Sequence, residues 1–229
     1  MIKILRASKI GCHIIDRFIA CILFADDMSL LAPTRGALQQ LLDLCAAYCK
    51  QFCLVFNARK TKVLVFGRGS VSTASFADLK IGDAIIEYVS RYRYLGFNVI
   101  SDVRLKFSTT ECLRSFFGAV NSINSVSMCS HENVRMQLLY SNCVPKLTYG
   151  AAVRDLTAAE KHQYNVAVNN AARRIFRFRY WQSIRQLREF YEYDSIEIMF
   201  AKARKRFLIS IANHENAILR FLHRIDVDN

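Results

Sequence analysis

The stretch Phe18-Ile19-Ala20-Cys21-Ile22-Leu23-Phe24-Ala25-Asp26-Asp27-Met28-Ser29-Leu30-Leu31-Ala32 decides how the chain is read. Two apolar runs rich in Ile, Leu and Phe flank a break at Ala25-Asp26-Asp27, which is the pattern of two strands joined by a tight turn. Two carboxylates then stand side by side at a hairpin tip, where burial without a partner would be costly. A divalent cation is the natural partner, because Mg2+ is held by one or two carboxylates while substrate phosphates complete its shell. A plain Asp-Asp β-turn would use the same residues, since Asp is common in turns.

Working outward, residues 10–15 also read as a strand, separated by Ile15-Asp16 from a strand over 17–24, and residues 28–32 form the return strand. Residues 36–53 are the clearest helix. Leu38, Leu41, Leu42, Cys45, Tyr48, Cys49 and Phe52 recur at three- and four-residue steps, and Pro33-Thr34 supplies a stop and an N-cap. A hairpin is expected next, with residues 54–56 and 62–66 flanking the turn Asn57-Ala58-Arg59-Lys60-Thr61. A second pairs residues 79–81 with 84–89 across Gly82-Asp83. Residues 67–75, Gly-Arg-Gly-Ser-Val-Ser-Thr-Ala-Ser, read as a flexible loop. Beyond about residue 107 helical periods dominate, and Pro145 alone interrupts them. The expected class is α+β, with a strand-rich region over 1–107 and a mostly helical region over 108–229.

With 52% hydrophobic residues and only 8 Gly and 2 Pro among 229, the chain is neither disordered nor collagenous. Its net charge of +13 favours a polyanionic partner, nucleic acid first. Both regions share that bias, with 15 basic against 8 acidic residues up to residue 110 and 17 against 11 beyond it. The longest apolar run, residues 18–25, falls far short of the roughly 20 residues a membrane helix needs. Acids close around that run, and no cleavage site follows, so no signal peptide is read. Eight cysteines lie mostly within apolar patterns and predict buried free thiols in a reducing compartment, nuclear or cytoplasmic. Cys45, Cys49 and Cys53 would span about 12 Å along a helix, too far for one tetrahedral Zn2+, and are expected in the core. No zinc-knuckle spacing, nucleophile elbow, P-loop or dinucleotide-binding glycine pattern is present.

Four further motifs follow the hairpin in order: Leu30-Leu31-Ala32-Pro33-Thr34; then, beyond the helix, Val55-Phe56-Asn57-Ala58-Arg59-Lys60-Thr61-Lys62; Arg91-Tyr92-Arg93-Tyr94-Leu95-Gly96-Phe97; and Pro145-Lys146-Leu147-Thr148-Tyr149-Gly150 with Asn169-Asn170-Ala171-Ala172-Arg173-Arg174-Ile175-Phe176. Together they resemble the second half of a reverse transcriptase palm and the helical thumb after it. The closest pattern is that of LINE-type, non-LTR retrotransposons, and the likeness covers roughly residues 10–180. It implies RNA-directed DNA polymerase chemistry: two Mg2+ ions, an RNA template, a DNA primer and a dNTP, with no membrane partner. Asp26 would be a ligand of the catalytic metals, and Asp27 its neighbour with a lesser, partly structural role. Phe24 would wall the cleft. Lys60 would lie near the incoming triphosphate, or else be an ordinary exposed turn lysine. Tyr94, Leu95 and Gly96 would form the grip on the primer end, or else an ordinary strand and turn.

The family also uses another metal-binding Asp on an earlier palm strand, a Gly-rich motif and a fingers subdomain. The 25 residues before Asp26 are too few to hold these. Asp16 cannot substitute, because one strand is expected to separate it from Asp26. The resemblance therefore implies a truncated enzyme, inactive without an upstream fingers and palm segment, whose acid-bearing hairpin leaves an apolar face and an unpaired edge. The isolated chain is then expected to be marginally soluble or oligomeric.

Residues 171–188 hold Arg173, Arg174, Arg177, Arg179, Arg185 and Arg188 with no acid between them, interleaved with Phe176, Phe178, Tyr180 and Trp181. Guanidinium groups neutralise phosphates and aromatic rings pack on sugars or bases, so the segment suits nucleic-acid binding. The alternative is a helix end with core aromatics and solvated arginines. At the level of function, the rival to a polymerase fragment is a non-catalytic RNA or RNA/DNA-binding module derived from a retroelement.

Overall fold

The computed structural model describes residues 1–67, 77–103, 105–126, 129–154 and 156–227. The chain divides into two compact units, Met1–Lys106 and Phe107–Asn229. The architecture is α+β: antiparallel hairpins alternate with one long helix in the first unit, and helices make up the second.

The first unit opens on a short helix, α1 (Ile2–Ala7), whose Leu5 is fully buried. β1 (His13–Ile14) pairs with β2 (Arg17–Phe18), and β3 (Cys21–Phe24) with β4 (Asp27–Leu30), both antiparallel. The single strand expected over 17–24 is therefore two strands. Between them the backbone changes partner: the Ile19 N–H donates to the Cys12 carbonyl at 3.0 Å, and the Ala20 carbonyl accepts from the Leu31 N–H at 2.8 Å. Gly11 lies against this crossing at φ +101°, where a Cβ would stand 2.3 Å from the Ala20 Cβ.

α2 (Arg35–Gln51) follows its sequence pattern. Thr34 caps it, its hydroxyl accepting from the Ala37 N–H at 3.2 Å. The apolar stripe is wide enough to serve two clusters. Leu41 and Cys45 pack with Leu5, Phe18 and Ala20. Leu42 packs with Val63, Leu79, Ile81 and Ile86. Leu30 and Phe56 touch both clusters. Burial pushes the Cys45 thiol up to about 12 and raises Cys49 as well, so both are inert apolar fillers. Cys53 corrects the expectation of three core thiols. It is exposed, because it is the left-handed residue (φ 52°) that stops the helix, with the Leu54 N–H reaching back to the Cys49 carbonyl at 2.9 Å.

β5 (Lys62–Val63), β6 (Leu79–Ile81) and β7 (Ala84–Tyr88) form a sheet in the order β5-β7-β6. The hairpin across Gly82-Asp83 forms as expected, with Ile81 opposite Ala84. The hairpin expected from residues 54–56 and 62–66 does not form. Residues 54–56 are not a strand, Val55 is almost wholly exposed, and β5 pairs parallel with β7 instead. The exchange buries Val63 against α2, which local pairing with solvent-facing residues would not do. The β6 edge is covered as well: the Gln39 amide on α2 both donates to and accepts from the Lys80 backbone at 2.9 Å. β8 (Arg91–Tyr94) and β9 (Phe97–Ile100) form the last hairpin of this unit. Of the loop expected over 67–75, only Gly67 is among the described residues.

The second unit is helical: α3 (Thr110–Val126), α4 (Glu132–Leu138), a π-helical turn (Leu139–Cys143), α5 (Val144–Thr148), α6 (Ala158–Ile175), α7 (Arg185–Phe190), α8 (Ile196–Ala212) and α9 (Ala217–Val227). Pro145 sits in the first turn of α5, where its missing N–H costs nothing. Phe116 of α3, Met136 of α4, Leu147 of α5, Tyr164 and Ile175 of α6 and Ile196 of α8 meet in one core. α6 opens with a capping box, the Thr157 hydroxyl accepting from the Glu160 N–H and Glu160 reaching back to the Thr157 N–H. Thr157→Ala is therefore expected to lower the unfolding free energy of this unit by about 1 kcal/mol, read from the urea midpoint at an unchanged m value. Among the described residues no helix is long and apolar enough to cross a membrane.

Candidate functional site

In the β3–β4 hairpin Phe24 stands opposite Asp27, and Ala25-Asp26 close the turn. Ala25 adopts φ 51°, a conformation that L-residues avoid, and this gives the sharp reversal that sets Asp26 at the tip. The pairing decides which side chains share a face. Ile22, Phe24, Asp27 and Ser29 lie on one side; Cys21, Leu23, Met28 and Leu30 lie on the other, where Cys21, Met28 and Leu30 pack under α2. The first face carries no covering element among the described residues. Phe24 is 61% exposed and Ile22 is about half exposed.

Asp26 and Asp27 are both exposed, and neither carboxylate has a hydrogen bond or ion pair among the described residues. Open, hydrated carboxylates at a turn can supply one or two ligands to Mg2+. Among the described residues, however, no group of three or more His, Cys, Asp or Glu side chains could hold a metal. The acid pair thus fits part of one ion's shell and does not complete a two-ion site. Asp16 lies in the β1–β2 turn, 3.5 Å from Arg17 Nε, and adds nothing to the pair.

Lys60 is exposed, and its side chain has no partner among the described residues. Its backbone is fixed: the N–H donates to the Asn57 carbonyl and side-chain oxygen, both at 3.1 Å, and its carbonyl accepts from the Tyr92 hydroxyl at 3.1 Å. Tyr92 is on β8, two residues before Tyr94, so the Lys60 turn is tied to the strand that carries the grip motif. That motif is a hairpin tip. Tyr94 faces Phe97, and Leu95 (φ 47°) with Gly96 (φ 82°) make a turn with both central residues left-handed, the arrangement that suits the strand twist. The Tyr94 hydroxyl is buried without a hydrogen-bond partner among the described residues.

The six arginines of the basic segment separate into two groups. Arg173 donates to the Gln182 carbonyl and to Asn170 Oδ1, both at 2.9 Å. Arg185 pairs with Glu189 at 2.9 Å, Arg179 lies 5.2 Å from the Trp181 ring centroid, and half-buried Arg188 is near enough to Tyr140 for its charge to oppose the rise that burial imposes on that phenol. Arg174 and Arg177 are exposed; Arg174 has no partner among the described residues, and the Arg177 charge helps hold the Glu132 carboxyl below its usual range, behind that group's own backbone hydrogen bond and the charges of His131 and Arg135. Arg177 is also the left-handed stop of α6 at φ 55°, and the Phe178 N–H closes the motif on the Arg173 carbonyl at 2.8 Å.

Two features were not read from the sequence. Arg154 is buried, and its guanidinium donates to the Tyr164 hydroxyl at 2.7 Å and to the Leu147 and Tyr149 carbonyls at 3.4 Å. Tyr140 and Tyr193 stack at 3.8 Å, and burial pushes the Tyr140 phenol up to about 12. Arg154 lies in the α5–α6 connection and Tyr193 in the α7–α8 connection, so both features depend on a loop residue meeting another element, and no local pattern signals them.

No protein family matches the chain, and no solved structure matches it. The chain is similar to an uncharacterized transposon-derived protein of Caenorhabditis elegans, 26% identical over 153 residues, which are 66% of this chain and 54% of that protein. The chain thus spans about half the length of the curated relative it matches, and the likeness is consistent with a transposon-related origin.

Proposed function

We propose that these 229 residues are the acid-bearing, primer-holding part of an RNA-directed DNA polymerase of a LINE-type, non-LTR retrotransposon. The observation that carries the reading is the β3–β4 tip, where two carboxylates without partners among the described residues stand at the end of a hairpin that packs under α2. The transposon-derived relative supports the same origin. In the reaction of the whole enzyme a primer 3′ oxygen bonds to the α-phosphorus of a dNTP, and the bond to pyrophosphate breaks. Mg2+ supplies charge neutralisation in that chemistry. Asp26 would hold the metal, with Asp27 its neighbour in a lesser, partly structural role; the Lys60 ammonium would offset charge on the departing pyrophosphate, and the Tyr94-Leu95-Gly96 tip would seat the primer end. With one acid pair and no third ligand among the described residues, the 229 residues are expected to be inactive alone. An upstream fingers and palm segment would supply what they lack.

Mg2+-dependent primer extension on an RNA template tests this. The expected result is silence from the 229 residues, activity when the upstream reading frame is joined, and a loss of at least about 100-fold on Asp26→Asn, the scale set by removing a charged group from a transition state. Activity in the joined protein that survives Asp26→Asn would reject the assignment.

A second reading is favoured by the absence of a third metal ligand among the described residues. In it the chain is a non-catalytic RNA or RNA/DNA-binding module derived from a retroelement. Binding would then depend on salt through its arginines and be indifferent to Asp26→Asn.

A further inference from the structure

The connection between α6 and α7 exposes two large rings where solvent-facing apolar surface needs a reason. Tyr180 is 82% exposed and Trp181 is 61% exposed. Their rings stand at 88° to one another with centroids 4.8 Å apart, so they form a solvent-exposed corner. Mobility of the loop does not account for the exposure. The Arg179 N–H donates to Gln182 Oε1 at 2.6 Å, the Gln182 N–H returns to the Arg179 carbonyl at 3.1 Å, and Arg173 clamps the Gln182 carbonyl from α6. The corner is therefore built before any ligand arrives, which removes the ordering cost of binding. Arg179 lies over the indole, and exposed Arg174 and Arg177 lie three to seven positions before the rings in the same segment.

We propose that the Tyr180–Trp181 corner is a stacking site for an unpaired base of single-stranded nucleic acid, with Arg174, Arg177 and Arg179 on the flanking phosphates. This rests on the nucleic-acid reading above and deepens it by choosing the single strand. In a duplex every base face is covered by its neighbours, so a protruding ring meets only sugar and phosphate. An unpaired base offers a free face to the ring and phosphates on either side to the guanidinium groups. A lipid surface suits the loop less well, because Arg179, Gln182 and Ser183 bracket the rings with polar side chains and leave no apolar tip to insert.

The chain's single tryptophan is Trp181, so its emission reports on this loop alone. Titration with a short oligouridylate is expected to quench it saturably, and an RNA/DNA duplex of equal length or an anionic phosphatidylserine vesicle is not. Anisotropy of a labelled oligouridylate supplies the second readout. Tyr180→Ala and Trp181→Leu are each expected to weaken single-strand binding about tenfold and leave duplex binding within about twofold. Arg174→Ala and Arg177→Ala should each reduce the salt slope by about 0.7. Single-strand binding that ignores both ring variants, equal losses on single strand and duplex, or emission changes with vesicles alone would overturn the stacking site and leave the polymerase reading standing. Failure to bind any nucleic acid would overturn both. The rings are exposed, so unchanged thermal melts will confirm that the variants fold.

Discussion

Gly11→Ala is expected to unfold the first unit or to destabilise it by about 3 kcal/mol or more. The new Cβ would lie 2.3 Å from the Ala20 Cβ, 2.9 Å from the Leu31 carbonyl oxygen and 3.1 Å from Leu41 Cδ1. The two nearest neighbours, a Cβ and a backbone oxygen, are not the far ends of flexible side chains. Ala20 and Leu31 are joined by the hydrogen bond at which the backbone changes strand partner, and Leu41 is fully buried on α2. Strain from a left-handed φ, about 1–2 kcal/mol, adds to overpacking of about 1–3 kcal/mol. Gly36→Ala is the control, since nothing lies within 4 Å of a Cβ there and the site is helical. Alanine should be neutral or slightly stabilising at Gly36. If the two variants share one urea midpoint, the close approach at Gly11 is wrong.

The second large effect belongs to Arg154, which is 4% exposed and has no carboxylate partner among the described residues. It bridges α5, through the Leu147 and Tyr149 carbonyls, to α6 through the Tyr164 hydroxyl, and its Nη1 lies 3.6 Å from Cys112 Sγ on α3. Arg154→Ala leaves a cavity and at least one buried hydroxyl without a donor, for an expected loss of about 3–5 kcal/mol. Arg154→Met keeps most of the volume but still takes the guanidinium donor from the Tyr164 hydroxyl. Adding Tyr164→Phe to Arg154→Met should therefore cost less than the sum of the two single changes by about 1 kcal/mol or more, measured by chemical denaturation as a double-mutant cycle. Additivity within error would show that the Arg154–Tyr164 bond contributes nothing.

How far these features could be read from sequence follows from how local their causes are. α2 was legible because its stripe and its Thr34 cap lie within one run of residues. So was the turn at Ala25-Asp26, where two apolar runs converge on the acids. The parallel pairing of β5 with β7 was not, because Lys62 and Glu87 are 25 positions apart and the choice depends on which partner lets Val63 reach α2. Cys53 fits the helical spacing of Cys45 and Cys49, but a left-handed backbone residue carries no mark in its side chain. Of the candidate site, the acids, Lys60 and the Tyr94 tip could be named because each motif is contiguous. The tie from the Lys60 carbonyl to Tyr92, and the division of the arginines into more and less engaged, arise only when distant elements meet.

α2 is also a wall that the two clusters of the first unit have in common. Leu41 and Cys45 face one cluster and Leu42 faces the other, and Leu30 and Phe56 reach into both. The β3–β4 and β5-β7-β6 sheets share no ladder, yet neither can lose its packing without stripping a face from the same helix. The hairpin that bears Asp26 and the sheet beside it therefore belong to a single foldon. Sub-global opening of one carries the other with it, and slow amide exchange in β7 marks the free energy that holds the acids in register.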